Sequence, residues 1–308
     1  MPDRNPAIVF TEHGGPEVLH PAEIDRPEPG PGQVRLRVKA AGVNPFDSKV
    51  RSGAFPGLPA AFPAVPGSDV AGVIDAVGPG VTEFAVGDEV LGSAATGSYA
   101  TYTLASPAKL TRKPAELDWA TAAGLPVVAT TAYRVLALVG AQPGETVLLD
   151  GAAGGVGTLT VQLARHLGLI VIGTAGEANH DYLRELGAIP VSYGPGLVDR
   201  VKDIAPLGVD AAIDLSGRGG LPALLTLAGG PDRVVTIADG QAADFGVRAS
   251  YGGPAEEVPE ALAGAVALVA AGKITLPIAR TYPLKDAASA HRDSDSGHVR
   301  GKLVLLVD

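Results

Sequence analysis

Thr146-Val-Leu-Leu-Asp150-Gly-Ala-Ala-Gly-Gly-Val-Gly157 reads as a strand, a tight turn and the start of a helix. The apolar run ends at Asp150, and glycines follow at once. From Thr158 to Gly168 the apolar residues Leu159, Leu163, Ala164 and Leu167 recur at helical spacing. Glycines let the backbone approach a pyrophosphate, and a helix N-terminus offers it unpaired N–H groups. Ala152 stands where the usual fingerprint has its first glycine, so the motif alone is weak. Its place between a strand and a helix gives it weight. Ala153, Gly154, Gly155, Val156 and Gly157 are therefore expected to meet a dinucleotide.

Working outward, strands alternate with helices. Strands are expected at 169–174, 189–192, 209–214 and 233–238, with helices at 178–187, 197–204 and 219–228 between them. Such alternation implies a doubly wound parallel sheet, an α/β Rossmann fold. Phe245–Tyr251 extends it as a sixth strand. Before it, 119–140 reads as helices broken at Pro126. After it come a helix over 256–271 and an apolar strand, Lys302 to Val307, that returns to the first domain. The N-terminal part is different. Short strands at 7–10, 33–40, 70–77, 87–91 and 99–104 are punctuated by Gly and Pro, with a loop rich in Pro and Glu between the first two. This pattern implies a β-barrel-like domain. The expected division is 1–118 with 253–308, and 119–252 for the dinucleotide-binding domain.

Composition narrows the function. The 308 residues carry a net charge of −9 and no run of Lys or Arg, which argues against a nucleic-acid binder. The absence of cysteine removes disulfides, thiolate nucleophiles and cysteine zinc sites. No hydrophobic signal core and no membrane-length apolar helix is read, so a cytoplasmic location without membrane attachment is expected.

Gly144-Glu145, Leu148, Ala152-Ala153-Gly154-Gly155, Gly157, Gln162 and Arg165 fall at the spacing of the quinone oxidoreductase and zeta-crystallin signature. The chain thus resembles that group of the medium-chain dehydrogenase/reductase superfamily. The resemblance implies a GroES-like β-barrel domain beside the Rossmann domain. In the zinc enzymes of this superfamily the ligands fall in a Gly-x-Cys and a Gly-His-Glu segment. Here the matching segments read Gly42-Val-Asn44 and Gly67-Ser68-Asp69. Neither Asn44 nor Ser68 is a good zinc ligand, and a zinc-free reductase is expected. His291 and His298 are read as surface residues.

Asn44-Pro-Phe-Asp47-Ser-Lys49-Val-Arg51 resembles the Asn-Pro-x-Asp-x-Lys pattern of the enone reductase branch, where the quinone oxidoreductases carry tyrosine in place of Lys49. The resemblance makes Asn44 and Lys49 the catalytic candidates, with Asp47 orienting Lys49 or Arg51. It also implies direct hydride transfer from NADPH to a quinone or an α,β-unsaturated carbonyl, in a cleft walled by the Pro-rich 55–66 loop. A non-catalytic NADPH-binding protein and a stand-alone enoyl reductase on carrier-bound substrates remain alternatives.

NADPH is expected over NADH because the second strand ends in Thr174 and Ala175 and Gly176 follow, with no acid there to repel a 2′-phosphate. By resemblance His180 and Tyr193 would bind that phosphate, although a histidine is only partly charged near neutral pH. Thr131 matches a threonine near the nicotinamide. Ser216 and Ile237 lie at strand carboxyl ends, where ligands bind in such sheets. Arg300 or Lys302 would reach the cofactor phosphates. Relatives also imply a homodimer joined through the last strand of the cofactor sheet.

Overall fold

Strands β1 (Arg4–Val9) and β2 (His20–Asp25) pair antiparallel, with Val9 opposite His20. The loop expected after β1 is therefore partly a strand. Pro21 lacks a donor, but β2 lies at the edge of a two-stranded sheet, where proline is tolerated. The computed structural model describes residues 4–55, 57–59, 61–258 and 260–307. They form two compact units, one running to Val127 and resuming at Leu262, the other spanning Val128–Ala261.

The first unit is built on β3 (Val34–Val43). After it come α1 (Pro45–Ser52), β4 (Asp69–Val77), β5 (Glu89–Ser93), β6 (Tyr102–Ala105) and β7 (Leu110–Arg112). Proline at its first position and a left-handed Gly53 (φ 79°) bound α1, the preferred residues for a helix start and stop. Along one edge β3 pairs with β4, and along the other with β6 at its start, Val34 opposite Ala105. Val34, Leu36, Val38, Val70, Ile74 and Val90 fill the core beneath this sheet.

Helix α2 (Trp119–Leu138) continues past Pro126 without interruption, which corrects the expected break. The proline removes a helical N–H, and the N–H of the next residue, Val127, donates to Asp69 Oδ1 at 2.9 Å. The result is a 20-residue apolar helix with a window of mean hydropathy 1.3, a length not foreseen from the sequence. Of that window 61% is buried within the fold, which accounts for its composition.

The second unit contains β8 (Thr146–Asp150), α3 (Gly155–His166), β9 (Ile170–Ala175), α4 (His180–Glu185), β10 (Ile189–Ser192), α5 (Leu197–Lys202), β11 (Ala211–Asp214), α6 (Leu221–Ala228), β12 (Val234–Thr236) and β13 (Arg248–Ala249). The strands are parallel in the order β10-β9-β8-β11-β12-β13. Strand order reverses between β8 and β11, the point where ligands bind in doubly wound sheets. The sixth strand is shorter than expected, because Ala242–Phe245 turns as a 3-10 helix before Arg248 reaches β12.

The chain then forms α7 (Ala261–Ala270), β14 (Ile278–Pro283), α8 (Ala287–Ser296) and β15 (Lys302–Leu306). β15 lies antiparallel to β3, with Leu303 opposite Val43, so the last strand completes the first unit's sheet.

Candidate active site

In the second unit, β8 delivers Asp150 to the switch point, 5% exposed. Gly151 (φ 84°) turns the chain, its N–H donating to Thr174 Oγ1 at 3.0 Å, while the Ala152 N–H donates to Thr174 O at 3.0 Å. The Thr174 hydroxyl in turn donates to Asp150 Oδ1. Thr174 is 1% exposed, so it staples the turn to the end of β9 instead of presenting its hydroxyl to a ligand. Ser216 works similarly, its hydroxyl donating to Asp150 Oδ2. Asp214 accepts the N–H groups of Ser216 and Gly217, and its second oxygen accepts Thr236 Oγ1. The Ile237 N–H donates to Asp214 O at 3.0 Å. Two buried carboxylates thus hold the loops at the carboxyl ends of β8, β11 and β12.

A Cβ on Gly157 would lie 2.5 Å from Gly151 O, so only glycine lets α3 pack this close to the turn. Gly154 differs, since a Cβ there would meet nothing nearer than 3.6 Å. No side chain caps α3 at Gly154. The first-turn N–H groups of Gly155, Val156 and Gly157 therefore have no intrahelical acceptor and point off the helix end beside Ala153. That arrangement fits a pyrophosphate.

Beyond β9, Glu177 is exposed and His180 half-buried. His180 Nε2 lies 3.4 Å from Ala175 O and 3.5 Å from Ser192 Oγ. Tyr193 is 57% exposed and flanks Gly176, where a Cβ would stand 3.9 Å from the tyrosine hydroxyl. His180 and Tyr193 thus both lie beside the Ala175-Gly176 turn. Arg200, which the sequence reading did not select, fixes the loop that carries Tyr193. Its guanidinium donates to the carbonyls of Ser192, Tyr193, Gly194 and Pro195. Thr131 is buried on α2, 5% exposed.

The first unit holds a buried polar cluster around Asn44, the residue before α1. Asn44 Nδ2 donates to Asp69 Oδ2 at 2.9 Å, and Lys302 Nζ donates to Asn44 Oδ1 at 2.6 Å and to Val43 O at 3.0 Å. The ammonium also lies 3.5 Å from Asp69 Oδ2. Lys302 is 4% exposed, so this placement does not match the expected reach to a cofactor phosphate. Burial pushes the Asp69 carboxyl up, against the opposing pull of Lys302, Asn44 and the Val127 N–H.

A second arm holds the Asn44 backbone. Asp47 Oδ2 accepts the Asn44 N–H at 2.9 Å and the Tyr99 hydroxyl at 3.2 Å. Tyr99 meets His291 Nε2 at 3.2 Å, and Arg51 Nη1 donates to His291 Nδ1 at 2.8 Å. His291 is fully buried, which corrects its reading as a surface residue. The buried face of α8 is Ala287, Ala290 and His291, and the helix turns the ring inward. Arg51 pairs with Asp295 at 2.9 Å and not with Asp47. Asp47 therefore orients neither Lys49 nor Arg51 and serves the Asn44 backbone instead. Burial pushes Asp47 up to about 7, with the Asp69 charge adding to the rise. Burial and Arg51 push His291 down to about 4. Lys49 is separate from both arms. It is half-buried and lines a cleft of about 420 Å³ with Ser48, Ser52, Ser294 and Asp295. Lys49 on α1 and Asn44 just before it thus share a segment but not a hydrogen-bonded cluster.

Residues 30–115 match the family described as alcohol dehydrogenase GroES-like domain, and residues 186–305 that described as zinc-binding dehydrogenase. Over 321 aligned residues the chain is 35% identical to the quinone oxidoreductase of Lama guanicoe, covering 98% of this chain and 97% of that one. It is 34% identical to a 2-haloacrylate reductase of Burkholderia sp, covering 97% and 98%. The solved quinone oxidoreductase of Escherichia coli complexed with NADPH is similar with a TM-score of 0.88 and 28% identity, covering 98% of this chain and 99% of that one. A GroES-like unit built on β3, a doubly wound sheet with its glycine turn at the switch point, and full-length likeness to these enzymes together place the chain in the quinone oxidoreductase family of the medium-chain dehydrogenase/reductases.

Proposed function

We propose that this protein is a zinc-independent, NADPH-dependent reductase that delivers hydride to a quinone or an α,β-unsaturated carbonyl. The observation that carries this reading is the make-up of the Asn44 cluster. Zinc does not fit the residues present. The Asn44 amide and the Ser68 hydroxyl are poor ligands, and a protein ammonium already lies against Asp69. Without a metal to polarise an alcohol, the favoured acceptors are those whose conjugation spreads the developing negative charge. The uncapped start of α3 fits the cofactor pyrophosphate, and the Ala175-Gly176 turn carries no acid against a 2′-phosphate. Likeness to a relative complexed with NADPH supports the same choice.

Bound NADPH supplies the hydride. The protein's part is to position the acceptor and to stabilise the charge that forms on its oxygen. Asn44 is the amide donor for that oxygen, and Lys49 in place of a tyrosine favours an activated alkene over a quinone. One relative is named a 2-haloacrylate reductase, which is consistent with this preference. The test is oxidation of NADPH and of NADH by chelator-treated protein against short enones and quinones. Turnover with NADPH that survives chelation and exceeds that with NADH is expected. Binding of NADPH with no turnover on any acceptor would favour a non-catalytic cofactor-binding protein.

A further inference from the structure

We propose that Lys302, held by Asp69, is a positioning residue that fixes and polarises the Asn44 carboxamide as the donor to the acceptor oxygen. The proposal rests on the reductase reading above and extends it to two buried residues that bond the Asn44 amide.

The geometry leaves the amide one orientation. Oδ1 accepts from the Lys302 ammonium at 2.6 Å, and Nδ2 donates to Asp69 Oδ2 at 2.9 Å. A flipped amide would set its N–H groups against an ammonium and its carbonyl against a carboxylate. Lys302 has three donors, and Val43 O, Asn44 Oδ1 and Asp69 Oδ2 are its three acceptors. Asp69 is pinned from the far side by the Val127 N–H. The one polar hydrogen left over is the second N–H of Asn44, which has no acceptor among the described residues. A charged donor on an amide oxygen strengthens that amide's own N–H groups as donors. The positive charge of Lys302 thus acts on an acceptor oxygen through Asn44, in the place where a metal would act directly.

Two features show that this arrangement is built. A Cβ on Gly42 would fall 2.5 Å from Ala123 O and 2.8 Å from Asp69 Cβ, so a bare glycine makes room for the carboxylate beneath α2. Lys302 and Asp69 are 4% and 0% exposed. Replacing a buried ion pair with well-packed apolar residues is often neutral or stabilising, so stability is a weak reason for this one.

The test compares wild type with Lys302→Met/Asp69→Asn, which removes both charges together and leaves no buried carboxylate unpaired. The readouts are NADPH affinity, kcat and KM on an enone, and the Asn44 side-chain amide signal in a ¹H–¹⁵N spectrum, identified by its loss in Asn44→Ser. The double variant is expected to bind NADPH within about twofold of wild type and to lose roughly 10–100-fold in kcat with KM little changed. The Asn44 amide signal is expected to shift. Asp69→Asn alone, which keeps the ammonium, serves if the double variant does not fold, with a shifted amide signal and a smaller loss of kcat. A kcat within about threefold of wild type, or an unmoved amide signal, would overturn the proposal. Absence of turnover in wild type would count against the reductase reading, and the amide signal would then decide the positioning by itself.

Discussion

Lys302 Nζ lies 2.6 Å from Asn44 Oδ1, which ties the first residue of β15 to the residue that caps the start of α1, 258 positions earlier. Removing that amide should have two separable effects. In Asn44→Ala the ammonium loses an acceptor and Asp69 loses a donor, so stability should fall by about 1–3 kcal/mol. Turnover should fall by about 10²-fold, because the proposed donor to the acceptor oxygen is gone. NADPH affinity should hold. Denaturant unfolding, steady-state kinetics and a cofactor titration separate the three, and unchanged kcat would remove Asn44 from the chemistry.

Gly154 and Gly157 give a matched pair of substitutions. A methyl at 157 lies 2.5 Å from Gly151 O, and Gly157→Ala should cost about 2–3 kcal/mol through overpacking. At 154 the backbone is extended (φ −73°, ψ 176°) and a Cβ has room. Gly154→Ala should therefore fold normally. Its methyl should still obstruct a pyrophosphate arriving at the end of α3, costing tenfold or more in NADPH affinity, about 1.4 kcal/mol. Thermal melts and NADPH titrations on both variants check this, and an affinity untouched by Gly154→Ala would move the phosphates elsewhere.

The second unit was largely legible because its signals are local. Alternating strands and helices and a glycine turn beside β8 lie within a few residues of each other, and the sheet order follows from them. The polar cluster was not legible, because its bonds join distant segments. Nothing near Lys302 in sequence marks Asn44 as its acceptor, and nothing near Arg51 marks Asp295. His291 did leave a trace. It follows Ala287 and Ala290 at helical spacing, a narrow apolar face hidden within Ala287-Ala-Ser-Ala-His-Arg-Asp-Ser-Asp-Ser296. Pro126 misled for the opposite reason. The local rule for proline is sound, but a carboxylate from β4 satisfies the neighbouring N–H and the helix continues.

His180 and Tyr193 lie beside the Ala175-Gly176 turn, and Arg200 locks the loop that presents the tyrosine. If they receive the 2′-phosphate, their substitution should act on NADPH and spare NADH. Tyr193→Phe removes one hydrogen bond to a charged group and should weaken NADPH about tenfold. His180→Lys, with a permanent charge, should strengthen it. Fluorescence titrations with both nucleotides test this, and equal effects on NADH and NADPH would show that these residues serve the loop and not the phosphate.

Asp47 and His291 both bond the Tyr99 hydroxyl, yet their contributions to stability change with pH in opposite directions. Burial raises Asp47 from 3.8 to about 7, so its contribution to stability is fully present below 3.8 and is lost as pH rises through 7. Burial lowers His291 from 6.5 to about 4, so its contribution is present above 6.5 and is lost as pH falls through 4. Between those limits the two slopes oppose each other, one proton against one, and should nearly cancel in wild type. Asp47→Asn breaks the balance. It keeps an oxygen for the Asn44 N–H and the Tyr99 hydroxyl but cannot ionise. Its stability relative to wild type should climb from mildly acidic pH to above neutrality, by at most on the order of 4 kcal/mol. His291→Gln should gain on wild type in the other direction, as pH falls. Urea unfolding at acidic, neutral and mildly alkaline pH reads both trends. Profiles that run parallel to wild type would mean that neither group titrates differently in the folded protein.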